Sequence, residues 1–211
     1  TASVIGSTDA ASVFGILRSK NLNLKEHTAS LLEMESGSND PISYMLTVIL
    51  TGLLTGASIR VPAMLFQQLF FGLIFGVLFG KGAVWALNRL QFQIAEGKTI
   101  VFAAAVLAYA VPVLLGGNGY LSVYLCGIIM GNSSMPHKRN MVQFFDALTG
   151  IAQMMIFFLL GLLVTPSRLG VVLLPSAVIM VFLTLVGRPL AVTALLGGFK
   201  ASWGQIGIVS W

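Results

Sequence analysis

Residues 32–54 read LEMESGSNDPISYMLTVILTGLL. From Ile42 to Leu54 the stretch is almost wholly apolar. Just before it stand Glu35, Ser36, Ser38, Asn39, Asp40 and Pro41. Such a segment is either the polar start of a soluble helix or a membrane helix that carries carboxylates at depth. The choice decides the fold.

Composition decides it. Hydrophobic residues are 56% of the 211 and charged residues only 9%, and mean hydropathy is +0.91. A soluble domain carries about 25% charged residues, so this chain cannot clothe its outside in polar groups. Lipid is its main solvent. The formal charge of +5 is scattered between apolar runs, without the basic stripe and interleaved aromatics that nucleic acid requires. The single cysteine, Cys126 in YLCGIIM, excludes an internal disulfide and reads as a small packing residue. The chain opens at Thr1, already inside an apolar segment, and reads as an excerpt of a longer protein.

A bilayer core of about 30 Å needs about 20 helical residues. Apolar runs predict about seven spans, near 1–17, 29–55, 61–80, 98–116, 119–132, 141–164 and 170–197, with an interfacial amphipathic helix over 82–97. The expected class is an all-α membrane protein, because backbone groups in lipid must bond internally. Alternate connections hold nine basic residues (Arg18, Lys20, Lys25, Lys81, Arg89, Lys98, Lys138, Arg139, Lys200) against two (Arg60, Arg168). By the positive-inside rule Arg18, Lys81, Lys138 and Lys200 face the cytoplasm. If the short span 119–132 were re-entrant, the tally would fall to seven against four. Gly72, Gly76 and Gly80 recur every four residues and mark a close helix contact, with a neighbour in this chain or in a second copy.

Depth makes the acids informative. At 1.5 Å per residue Asp9 lies about 13 Å from the cytoplasmic edge, Asp40 about 17 Å into its span and Arg188 about 15 Å from the end of its own. Three charges from separate spans therefore reach one level. An isolated charge there costs about 3 kcal/mol or more, so they are expected to face one another or a water-filled cavity. The plain alternative is a buried network that only holds the bundle together.

Local chemistry points to an ion path. Gly6, Ser7, Thr8 and Asp9 form a segment able to unwind and present carbonyl oxygens. Ser36 and Asp40 are i,i+4 neighbours, as are Glu35 and Asn39. Pro41 has no N–H for the Gly37 carbonyl. Carboxylate, amide, hydroxyl and carbonyl together make an all-oxygen site suited to a hard monovalent cation. Asn39 cannot titrate, Arg188 stays protonated, and Glu35 is the natural partner of Arg188. One charge remains variable, on Asp40, in a dehydrated cage where a proton and a cation exclude each other. Asp9 is left as a second ligand or a helix-end partner.

STDAA at 7–11, LEMESGSNDP at 32–41, GRPLAV at 187–192 and the stretch at 137–169 resemble the bacterial monovalent cation:proton antiporters of the electroneutral NhaP-like branch, with potassium/proton antiporters the nearest look. The resemblance implies an inverted-repeat fold with an unwound crossing helix bearing Thr8 and Asp9. It implies an Asn39–Asp40 pair with Asp40 exchanging, Ser36 lining the cation site, and a buried Glu35–Arg188 ion pair. It also implies a homodimer in a bacterial inner membrane, moving a core bundle in an elevator-like manner. The implied cargo is K+ or Na+ against H+, with no cofactor and no enzymatic activity.

Two rivals use the same residues. An intramembrane aspartyl protease would pair Asp9 with Asp40, but its Gly-Asp motif is absent and an arginine at the same level would hold both acids ionised. A cation channel would need repeated carbonyl rings, which the sequence lacks. His27 and His137 read as loop histidines, with a pH sensor the alternative for His137. Asp146, in the sixth span with Gln153, reads as a helix-end or interfacial acid before an ion ligand. Glu33 reads either as part of a cytoplasmic funnel for cations or as a solvated or lightly buried acid.

Overall fold

The computed structural model describes residues 28–56, 60–90, 93–196 and the isolated positions 204, 206 and 207. The predicted first span, with Thr8 and Asp9, lies outside the described residues. Those described are helical: α1 (Thr28–Leu54), α2 (Val61–Arg89), α3 (Ile94–Leu114), α4 (Gly119–Asn132), α5 (Lys138–Leu163), α6 (Pro166–Phe182), a π turn, π1 (Leu183–Gly187), and α7 (Arg188–Leu196). Four helical stretches among them are long and apolar enough to cross a membrane: α2, α3, α5 and Leu169–Ala194. The 27 residues of α1 are long enough, but its polar half lowers its hydropathy. α4, at 14 residues, reaches only about 21 Å.

The helix expected over 82–97 does not exist as a separate element. α2 runs unbroken to Arg89, and α3 starts at Ile94 behind a reciprocal capping box between Gln93 and Glu96. The reason lies in packing. Gly72, Gly76, Gly80, Ala83 and Leu87 are one continuous buried stripe of α2, so the amphipathic pattern marks a protein neighbour rather than the membrane surface. Lys81 accordingly sits within α2 and not in a loop. It lies about 30 Å from Val61, and the helix continues beyond it to Arg89.

By contact the chain forms two compact units, which share the described residues as 33–151 and as 28–32 with 152 onward. In the first, α4 packs on both α2 and α3, which also pack on each other. Ala83 and Leu87, Ala104 and Ala108, Cys126 and Met130, and Met141 form its core. Cys126 is thus the packing residue expected. The glycine stripe faces α4 of the same chain. A Cβ at Gly76 would lie 2.7 Å from the Ser122 carbonyl oxygen, and one at Gly80 3.2 Å from the Cys126 Cα. Only bare backbone permits that approach.

α3 ends at Leu114, and the chain turns at Gly116, whose φ of +75° is the left-handed geometry that glycine adopts without strain. The Gly117 N–H then returns to the Pro112 carbonyl at 2.7 Å. The turn delivers Asn118 to the head of α4. In the second unit α6, π1 and α7 follow one another without a break, and every described side chain of α6 is exposed.

Candidate functional site

α1 stays helical through Pro41. Its buried positions, Ser36, Pro41, Met45 and Ile49, recur at helical spacing and define one packed face, while Ile42, Leu46 and Leu50 look outward. The polar half of the helix is held by its own side chains. Asn39 Nδ2 donates to Glu35 Oε1 at 2.9 Å, the i,i+4 contact that the spacing predicts. Ser36 Oγ donates to Glu35 Oε2 at 3.3 Å, and Ser38 Oγ to the Glu35 carbonyl at 3.2 Å. Both carboxylate oxygens of Glu35 therefore receive donors from the same helix.

Asp40 stands differently. Ser36 is 1% exposed, but Asp40, one turn on, is exposed at the margin of the packed face. The cage expected around it draws also on Thr8 and Asp9, which lie outside the described residues. Pro41 takes the inward position and Ile42 the outward one, which leaves Asp40 at the edge of that face. Arg188 is half-buried at the start of α7, in the second unit. Its N–H bonds back to the Leu183 carbonyl, which closes the π turn. Pro189 has no N–H and disfavours a helical residue before it. A widened turn is how the chain carries Arg188 and Pro189 without breaking the helix, and such turns gather at functional positions.

Sequence reading passed over the residues that meet α1 from the other side. Asn118 Nδ2 donates to the Pro41 carbonyl at 2.9 Å, a buried bond across 77 residues. Its Oδ1 accepts from Leu121 N at 3.0 Å and caps α4, and its own N–H donates to the Gln68 carbonyl at 3.1 Å. A Cβ at Gly37 would lie 2.5 Å from Tyr124 Cε2, and the Tyr44 and Tyr120 rings are 4.9 Å apart. The sequence signal for Asn118 was its place immediately before an apolar helix, the mark of an N-cap. On the α2–α4 seam Gln68 Oε1 and Ser122 Oγ are buried without a hydrogen-bond partner.

A polar, carboxylate-bearing half-helix set among membrane-length helices can bind and release small cations and protons. Comparison with known proteins gives that chemistry a family. The family model for the transmembrane sodium/hydrogen exchanger matches residues 1–211. The K(+)/H(+) antiporter NhaP of Alkalimonas amylolytica is 36% identical over 212 residues, covering 99% of this chain and 37% of that protein. K(+)/H(+) antiporter NhaP2 of Shewanella oneidensis is 39% identical over 203 residues, covering 94% and 35%. NhaP2 of Shewanella sp. strain ANA-3 is 38% identical over 204 residues. The chain thus spans little more than a third of the length of these relatives. No solved structure gives a significant match. With the family match running from first residue to last over apolar helices of membrane length, this is a multi-pass membrane protein, and it belongs to the sodium/hydrogen exchanger family.

Proposed function

We propose that the intact protein exchanges a monovalent cation for a proton, one for one, by alternating access, with Asp40 holding each in turn. The observation that carries the reading is the 2.9 Å bond from Asn39 to Glu35. An amide that cannot titrate occupies one oxygen of Glu35, and Ser36 occupies the other. Glu35 is assigned to structure, as the partner of Arg188, and Asp40 to turnover. Ser36 and Thr8 supply further oxygens to the cation, and Asp9 stands beside Thr8 as a second ligand or a helix-end partner. An exposed Asp40 suits one stage of such a cycle, in which ions must reach the carboxylate from water.

K+ is favoured over Na+ because the relatives above carry K(+)/H(+) antiporter in their names. The seven-span arrangement, the cytoplasmic placing of Arg18, Lys81, Lys138 and Lys200, the bacterial inner membrane and an elevator-like homodimer belong to the same reading. Membership of an exchanger family sets the aspartyl protease aside.

The test uses the intact gene product in proteoliposomes, with a pH-sensitive dye reporting proton movement when K+, Na+ or Li+ is added. Asp40→Asn keeps the shape of the side chain and removes its charge; exchange is expected to disappear. With membrane voltage clamped by an ionophore the rate is expected to stay constant. Exchange that survives Asp40→Asn overturns the role of Asp40. A voltage-driven net current overturns the one-for-one stoichiometry, and flux independent of a proton gradient would indicate a channel.

A further inference from the structure

We infer that Asn118 is a positioning residue for the exchanging carboxylate, acting on Asp40 through the Pro41 carbonyl. The inference rests on the exchange reading above. Among the described residues α1 meets α4 and its N-cap at Gly37 under Tyr124, Pro41 on Asn118, and Tyr44 against Tyr120. The first and third are van der Waals and ring contacts, which allow one helix to roll over the other. The contact at Pro41 is a hydrogen bond and has a direction.

Its geometry acts on Asp40. Proline locks φ near −65°, so fixing the Pro41 carbonyl fixes the turn of helix that contains Asp40, and with it the azimuth of the Asp40 Cα–Cβ bond. Few side chains can do this. The residue must donate to Pro41 and accept from Leu121 N at the same time. Among short side chains only asparagine carries a donor and an acceptor on separate branches. Asn118 is 0% exposed, so water cannot stand in for either bond. The backbone bond to Gln68 anchors the residue to α2. The carboxylate's direction is thereby referred to the α2–α4 pair rather than to α1 alone.

A residue that merely caps α4 would make the Leu121 bond and nothing more, and this separates the two roles. Asn118→Ser and Asn118→Asp both retain a capping oxygen, but serine is too short to reach Pro41, and aspartate can donate there only when it is protonated. Asn118→Gln keeps both groups. In proteoliposomes holding the intact protein, the serine and aspartate variants are expected to raise the K+ concentration for half-maximal exchange about tenfold. The pH of half-maximal activity should move by about half a unit or more, while maximal rate falls less. Asn118→Gln should recover part of both shifts. Parent-like half-saturation and pH midpoint in the folded serine variant overturns the inference and leaves Asn118 a cap. If neither accumulates as folded protein while Asn118→Gln does, the bond to Pro41 is structural and the inference likewise falls. Asp40→Asn measured alongside keeps the two readings apart: survival of exchange there sinks the exchange reading whatever Asn118 does.

Discussion

Gly76 in α2 and Gly161 in α5 both sit in long apolar helices. A Cβ on the first would lie 2.7 Å from a backbone oxygen, and a Cβ on the second would meet nothing within 4 Å. The same contrast runs through the two regions. α2, α3 and α4 bury alanines, glycines, Leu87, Cys126 and Met130 against one another, whereas α6 exposes every described side chain. Both regions are apolar, so apolarity says only that a helix can live in lipid. Association in lipid gains nothing from moving apolar surface out of water and depends on close fit. A stripe of small residues at intervals of four marks the fit; isolated glycines such as Gly150, Gly161 and Gly170 do not.

The sharpest way to break this contrast is to add bulk on both sides of it. Gly76→Ile must displace the Ser122 carbonyl, which cannot yield as a side chain would. It is expected to destabilise by about 3 kcal/mol, read as a large fall in thermal unfolding temperature in detergent. Gly161→Ile should change stability by no more than about 0.5 kcal/mol. Equal effects would mean that the stripe is not a seam. Removing bulk gives a smaller difference. Leu87 is 1% exposed and Leu159 54% exposed; Leu87→Ala is expected to cost about 2 kcal/mol through its cavity, and Leu159→Ala about 0.5 kcal/mol or less. The smallest effect tests polarity inside the seam. Ser122 Oγ has no partner, so Ser122→Ala should be neutral or stabilising by up to about 1 kcal/mol. A clear loss of stability would show that the hydroxyl is bonded after all.

These regions also show which features a sequence carries openly. The extents of α1 and α4 were legible because an apolar run ends at a turn residue in each case: at Thr55–Gly56 after α1, and behind Gly116–Asn118 before α4. The Glu35–Asn39 contact was legible because i,i+4 spacing on a helix leaves little choice. The run from Ala83 to Leu87 was misread, since alternation of apolar and polar faces cannot distinguish a lipid headgroup from a neighbouring helix. The glycine stripe announced a contact but not the partner. The exposure of Asp40 was hidden for a similar reason: it depends on what packs on each side of α1. Asn118 was hidden too, because its bond to Pro41 joins residues 77 positions apart, a distance at which single-chain periodicity says nothing.

The α2–α4 seam has a mechanical consequence. A glycine stripe is smooth, and smooth surfaces resist shear poorly. Here both ends of the seam are pinned. Gln67 Nε2 grips the Leu115 carbonyl at 2.7 Å at one end, and Asn88 Nδ2 grips the Ser134 carbonyl at 3.1 Å at the other. Two helices fastened at both ends and touching along their length behave as a single strut. A push applied at one end arrives at the other undiminished by sliding, so displacement of this pair carries whatever is stitched to it as one piece.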